Sequence, residues 1–139
     1  MSKSQKKITL LVIASIITVS SSQSQTPVPP CPVDGRTTSF LCSGNRKLGD
    51  GTKYEGQFKS GIFNGKGKIT WTDGTVYTGE FQDGQPNGYG IKVWGNDGRK
   101  YTGSFKNNQY SGKGTLIDAK GKILGNGVWD QDKLVNPAK

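Results

Sequence analysis

The chain has no histidine, one methionine, two cysteines and three arginines among its 139 residues. Without histidine it lacks the commonest general base and metal ligand, and two sulfurs alone do not make a zinc site. Three scattered arginines leave no basic cluster of the kind that binds nucleic acid. Long apolar runs are scarce too. The longest, Ile8 to Val19, spans about twelve residues, against roughly twenty needed to cross a bilayer. Apolar residues make up 31% of the chain, low for a domain with a conventional core. What abounds is glycine, with 21 copies, and the aromatics are ordered in space: twelve of thirteen, all except Phe40, fall between Tyr54 and Trp129. Spaced aromatics argue for a folded segment and against a flexible tail.

Their order is a repeat. Tyr54-Glu-Gly56-Gln-Phe58, Tyr77-Thr-Gly79-Glu-Phe81 and Tyr101-Thr-Gly103-Ser-Phe105 are near-copies. Each leads into a Gly-x-Gly pair (Gly65/Gly67, Gly88/Gly90, Gly112/Gly114) and then a turn (Asp73-Gly74, Asp97-Gly98, Lys120-Gly121), at a step of 23 to 24 residues. Within one copy, residues two apart share a strand face. Tyr54, Gly56 and Phe58 therefore share one side and Glu55, Gln57 and Lys59 the other; Gly65, Gly67, Ile69 and Trp71 oppose Lys66, Lys68 and Thr70. Ser60 to Asn64 is turn-prone, and Thr72-Asp73-Gly74 makes a second, tighter turn. The expected fold is all-β: an elongated single-sheet antiparallel meander of β-hairpin repeats.

Glycine inside a strand weakens it unless something uses the missing side chain. Gly56 is expected to lie opposite or diagonal to Trp71 or Tyr54, leaving a trough for the ring, with Gly79 and Gly103 repeating the arrangement.

Residues 1–22 read as a secretory signal: Lys3, Lys6 and Lys7, the uncharged run, then serines, with Ser20, Ser22 and Ser24 available for cleavage. Cleavage would leave an exported chain, periplasmic or extracellular; retention would leave it anchored by its N terminus. Residues 23–43 form a stiff linker with Pro27, Pro29, Pro30 and Pro32, and hold Cys31 and Cys42. In an oxidising compartment these two pair as an N-terminal cap; the alternative is two free thiols. The net charge is +9, and the three lysines of Met1–Ser21 leave the remainder with sixteen basic and ten acidic residues, or +6. Such an excess suits an anionic surface, or solubility alone.

Tyr-x-Gly-x-Phe, Gly-x-Gly and Asp-Gly at this step resemble the MORN (membrane occupation and recognition nexus) repeat. The array is read over residues 44–134: a degenerate repeat 44–53, marked by Asp50-Gly51, repeats 54–76, 77–100 and 101–123, and a partial repeat 124–134, with a tail at 135–139. In the partial repeat Gly125, Gly127 and Trp129 recur, with Leu124 in place of the opening tyrosine and one residue inserted. Two departures fall inside the array. Lys92 sits on the ring face between Gly90 and Trp94, which turns Tyr89, Ile91 and Val93 to the polar side, and Asp118 stands where Trp71 and Trp94 do. The apolar spot is either covered by a terminus or serves partner binding or self-association.

No catalytic constellation is present. The Asp-Gly pairs lack the closely spaced carboxylates of a calcium loop, Glu55 and Glu80 occupy equivalent solvent-facing places, and Gly65-Lys66-Gly67 is no phosphate loop. The chain is read as non-enzymatic and without cofactor or metal. The resemblance implies scaffolding, protein association and, for some members, attachment to acidic phospholipids. The leading expectation is an exported binding or scaffold module that presents Tyr54, Phe58, Trp71, Tyr77, Phe81, Trp94, Tyr101 and Phe105 to a protein partner. The alternatives are peripheral attachment to anionic membranes through Lys59, Lys66, Lys68, Lys92, Lys106 and Lys113, which requires these lysines to share one side of the sheet, and a structural envelope component. Homodimers are compatible with either.

Overall fold

The computed structural model describes residues 27–32 and 39–139, so the signal reading of residues 1–22 and the linker segments 23–26 and 33–38 lie outside the described residues. Among the described residues the chain forms one antiparallel sheet of nine strands in sequence order, with no helix. The strands are β1 (Cys42–Lys47), β2 (Lys53–Lys59), β3 (Ile62–Thr70), β4 (Val76–Gln82), β5 (Gln85–Val93), β6 (Lys100–Lys106), β7 (Gln109–Ile117), β8 (Ile123–Asp130) and β9 (Lys133–Pro137). The all-β meander expected from the repeat is the observed fold.

Two kinds of turn alternate. At one end the tips Ser60-Gly61, Asp83-Gly84, Asn107-Asn108 and Gln131-Asp132 have positive φ at both residues, between 46° and 84°. This is the two-residue hairpin whose twist matches its strands. It is shorter than the Ser60–Asn64 connection read from sequence, because β3 already begins at Ile62. The tips stack on one another: the backbone N–H groups of Gly84, Asn108 and Asp132 donate to the carbonyls of Phe63, Pro86 and Tyr110 at 2.9, 2.8 and 3.2 Å. At the other end an aspartate ties the turn. The Asp73 carboxylate accepts from the N–H and hydroxyl of Thr75 at 2.8 and 3.0 Å, as Asp50 does from Thr52 at 2.9 and 3.0 Å.

The register places a glycine on each of eight successive strands side by side: Gly44, Gly56, Gly67, Gly79, Gly90, Gly103, Gly114 and Gly127. On the ring face of this seam lie the repeat tyrosines. A methyl group on Gly90 would sit 2.5 Å from Cε2 and the hydroxyl of Tyr77, and Gly67 and Gly114 face Tyr54 and Tyr101 in the same way. The trough therefore exists, with a different glycine beneath the ring. Tyr54, on the same strand as Gly56, lies over Gly67 of the next strand, and Trp71 does not fill it. Gly56, Gly79 and Gly103 are needed for strand approach, since a side chain on Gly79 would meet the Cα of Gly90 at 2.5 Å. The first glycine of each pair plays another part, as Gly65, Gly88 and Gly112 face the side chains of Gln57, Glu80 and Ser104.

Each tyrosine also closes a bulge. The register shifts between Gly56 and Phe58, Gly79 and Phe81, and Gly103 and Phe105, which leaves one residue of the tyrosine strand facing three unpaired residues of the next. The carbonyl of the unpaired residue on the tyrosine strand accepts the tyrosine hydroxyl: Tyr54 to Gln57 at 2.8 Å, Tyr77 to Glu80 at 2.8 Å and Tyr101 to Ser104 at 3.2 Å. The rings then touch along the array. Tyr54 meets Phe58 of its own repeat edge-on at 5.0 Å and Phe81 of the next at 5.1 Å. Tyr77 meets Phe81 and Phe105 at 5.1 and 4.9 Å, and Tyr101 meets Phe105 and Trp129 at 5.2 and 5.5 Å. Phe63 and Tyr110 stack on Tyr54 and Tyr101, both at 3.8 Å.

The ends depart from this pattern. Because Leu116 pairs with Gly125 as Ile69 pairs with Tyr77, Gly125 and not Leu124 holds the tyrosine place of the last repeat. Leu124 is exposed. The Trp129 indole folds back over Gly125, within 2.9 Å of where its side chain would begin, and donates to the Gly114 carbonyl at 2.9 Å. At the other end the Cys31–Cys42 disulfide lies against Gly44, whose missing side chain would sit 3.6 Å from Cβ and Sγ of Cys31. It also holds Pro29 to Cys31 along the edge of β1, where Ser43 N–H donates to the Pro29 carbonyl and Cys31 N–H to the Ser43 carbonyl, both at 2.8 Å.

Gly90→Ala is expected to cost about 3 kcal/mol of unfolding free energy, since the added methyl must displace a ring fixed on both sides. Gly49→Ala, where nothing lies within 4 Å, should stay within about 0.5 kcal/mol. Chemical denaturation of the two variants measures the contrast, and equal effects would contradict the trough. Reducing the disulfide should cost about 2–4 kcal/mol, with hydrogen-exchange protection lost first in β1 and β2. Uniform loss across all strands would show that the cap does not act locally.

Candidate functional site

Eight aromatic side chains were expected to be presented on the ring face, and six are core. Tyr77 and Tyr101 are 0% exposed, Tyr54 1%, Phe81 and Phe105 3% and Phe58 4%. The reason is the close ring-on-glycine seating together with the stacked tips, which leaves these rings no open side. They build the face and cannot contact a partner. Only Trp71 and Trp94 remain partly exposed. Sequence reading missed Phe63, Pro86 and Tyr110, the residues just after each tip that complete the ring layer. Their signal is positional, since Phe58, Phe81 and Phe105 pair with them in turn.

Between the two exposed indoles stands Lys92. Its Nζ lies 5.6 Å from the Trp71 ring centroid and 5.3 Å from that of Trp94. The Arg99 guanidinium covers Trp94 at 5.2 Å and pairs with Asp97 at 2.6 Å. Burial holds the Lys92 amine below the usual lysine range, opposed by the carboxylates of Asp132 and Asp73. Hydrogen bonds from Thr75 in turn keep Asp73 below the usual carboxylate range. Asp118, at the place of Trp71 and Trp94, accepts from the N–H groups of Lys120 and Lys122 at 2.9 and 2.8 Å, so it ties a turn and does not extend the indole row.

The opposite, outer face is polar at one end and apolar in its middle. Tyr89, Ile91 and Val93 stand along β5 at 58%, 40% and 36% exposure, and no described residue covers them. A paired neighbour extends the strip on one side, where Val76 lies opposite Val93; on the other side Lys100 stands between Val93 and Ile117 and ends it. Of the six expected lysines, Lys66, Lys68 and Lys113 share this face, Lys59 and Lys106 close β2 and β6 beside the tips, and Lys92 is alone on the ring face. The six therefore do not form one surface. Lys47, Lys53 and Lys100, which the motif reading passed over, join the outer face through the pairs Lys47–Lys53, Lys53–Thr70 and Val93–Lys100. Glu55 and Glu80 lie among them, and the Glu80 carboxylate accepts the Tyr89 N–H at 3.3 Å.

With this geometry, the MORN repeat family matches residues 54–76, 77–99 and 101–123. The chain is a MORN-repeat protein. MORN repeats commonly mediate protein or membrane interactions, and the family is generally non-enzymatic. No curated protein matches the chain. The boundaries agree with the ring ladder, each MORN repeat opening on the tyrosine that lies over the following glycine.

Burial pushes the Tyr54 and Tyr101 hydroxyls up to about 12, and those of Tyr77 and Tyr110 higher still, from an ordinary value of 10.0. The folded chain therefore holds phenolic protons that the unfolded chain releases. Stability should be intact below pH 10 and fall as the pH rises towards about 12. An alkaline titration followed by phenolate absorbance and circular dichroism should show the core tyrosines ionising together with the loss of the sheet. Ionisation with the sheet intact would contradict the seating.

Proposed function

We propose that the protein is an exported, non-catalytic scaffold module that docks a protein partner on its outer face, along Tyr89, Ile91 and Val93. One observation carries this reading: Tyr89, Ile91 and Val93 stand exposed at alternate positions of the central strand, on the outer face, whereas the other exposed apolar strand residues, Ile62, Ile123, Leu124 and Val135, lie on other strands, at or near strand ends. Exposed apolar strips rimmed by polar groups are where partners dock, and aromatic anchors such as Tyr89 dominate such contacts. The rim is present in Thr78, Thr102, Ser104 and Lys100. Export is supported by the leader composition and by the Cys31–Cys42 bond, which belongs to an oxidising compartment.

A second reading has its own support. Lys47, Lys53, Lys66, Lys68, Lys100 and Lys113 on the outer face outnumber Glu55 and Glu80, and this excess suits an anionic phospholipid surface.

The triple variant Tyr89→Ser, Ile91→Thr, Val93→Thr should keep its circular dichroism spectrum and melting temperature, because none of the three lies in the ring layer. It should lose the partner cross-linked to the intact protein in the exported fraction. Undiminished cross-linking would overturn the docking reading. Salt-sensitive co-sedimentation with anionic vesicles would favour the lipid alternative. A concentration-dependent dimer abolished by the triple variant would identify the partner as a second copy.

A further inference from the structure

On the ring face, Trp71, Asp73, Thr75, Lys92, Trp94 and Asn108 line an open slot that the docking strip does not touch. Its floor is unusual for this fold. The places equivalent to Lys92 in the neighbouring repeats hold Ile69, which is buried, and Leu116, so a lysine there interrupts an apolar column. The Lys92 amine lies within 6 Å of two indole centroids, at 5.6 and 5.3 Å, yet it has no hydrogen bond or close ion pair among the described residues. Among the described residues the Asn108 side-chain amide is likewise without a hydrogen-bond partner. Asp73 keeps lone pairs beyond the two it gives to Thr75, and the Asp132 carboxylate, which acts on Lys92 from a distance, accepts the Tyr110 N–H at 2.8 Å.

The slot thus offers unused donors on Lys92 and Asn108, acceptors on Asp73 and Asn108, and two indoles beside them. An ammonium among apolar rings loses hydration that the two indole faces and the carboxylates of Asp132 and Asp73 return only in part, since burial still holds the amine below the usual lysine range. A ligand that bonds to it would recover more of the loss. The charges of Asp132 and Asp73, which act on the amine without a close ion pair, disfavour a free anion. A neutral ligand carrying hydroxyl groups as both donors and acceptors, with flat C–H faces for the indoles, satisfies every group. We infer that the slot formed by Trp71, Lys92, Trp94, Asp73 and Asn108 binds a neutral pyranose saccharide, with Lys92 and Asn108 bonding its hydroxyls and the indoles packing on its ring faces. This inference stands apart from the proposed docking strip, which lies on the other side of the sheet and is left intact in every variant below.

The test is fluorescence titration of the intact, oxidised protein with β-1,4-linked glucose and N-acetylglucosamine trisaccharides and an α-1,4-linked glucose trisaccharide. Trp129, 7% exposed, supplies a constant background, so a saturable change reports Trp71 and Trp94. Lys92→Met keeps the stem and its packing while removing the donors. It is expected to melt no lower than the natural chain and to weaken binding at least about tenfold, the loss of one charge-assisted hydrogen bond. Asn108→Gly, which preserves the left-handed backbone at φ 66°, should weaken binding less. No saturable change with any of the three sugars at millimolar concentration, or equal binding by Lys92→Met, overturns the inference. An acidic peptide that binds where the sugars do not, and is lost in Lys92→Met, overturns it in favour of an anion site.

Discussion

A tyrosine ring laid on a glycine of the following strand is the contact around which this sheet is organised. The ring needs a floor without side chains, and it finds one because the eight seam glycines stand in one row across the strands. Its hydroxyl needs a partner in the interior, and the bulge that follows supplies a carbonyl three residues on, at Gln57, Glu80 and Ser104. Its edge needs neighbours, and the phenylalanines of its own repeat and the next provide them. Each requirement is met from within one repeat or the one beside it. A single layer of strands can therefore bury large rings with no second layer above, and stability passes along the array by nearest-neighbour contacts.

That mode of stabilisation leaves a problem at each terminus, where a glycine or a ring lacks its counterpart. At the start, Gly44 has no tyrosine before it. Cys31 lies 23 residues before Tyr54, one repeat length, and its sulfur fills the place a ring would take. The disulfide is in this sense a substitute for a missing repeat, and it draws Pro29 to Cys31 over an edge that would otherwise offer open hydrogen-bonding groups to other chains. At the far end the exchange is reversed. Gly125 replaces the tyrosine, and Trp129, larger than the phenylalanine it stands for, reaches back over the vacancy and packs beside Leu134.

The repeat itself was legible because tyrosine, glycine and aspartate recur at a fixed step, and strand order follows once each copy is read as a hairpin. Which glycine lies beneath which ring was not legible. That depends on the two-residue register shift at the bulge, and nothing in Gly56-Gln57-Phe58 announces that Gln57 leaves its ladder with the following strand. The same shift separates the two members of each Gly-x-Gly pair, which look equivalent in sequence and differ in space. The last repeat misled for a related reason: Leu124 resembles a substituted ring, whereas pairing with Leu116 gives that place to Gly125. For the candidate site, alternation located Lys92 among the indoles and Tyr89, Ile91 and Val93 on the other face. It could not show that the most regular aromatics are also the most deeply buried.

This last point decides where function can reside. Residues that recur in every repeat are held in place by the ring layer: substituting one disturbs its own repeat and the next, so the regular positions have little freedom to acquire a ligand. Freedom lies where the repeat is broken without harm to the ladder. Lys92 replaces an apolar residue and keeps its pairing with Tyr77 and Tyr101. Tyr89, Ile91 and Val93 occupy outward places whose counterparts in β3 include Lys66 and Lys68, so their identity is irrelevant to the rings. Both departures fall on β5, the middle strand of the nine, with four strands on either side to hold it rigid. A central strand is where a site on an otherwise uniform sheet is best supported, because ordering it for binding costs least where the array is already most constrained.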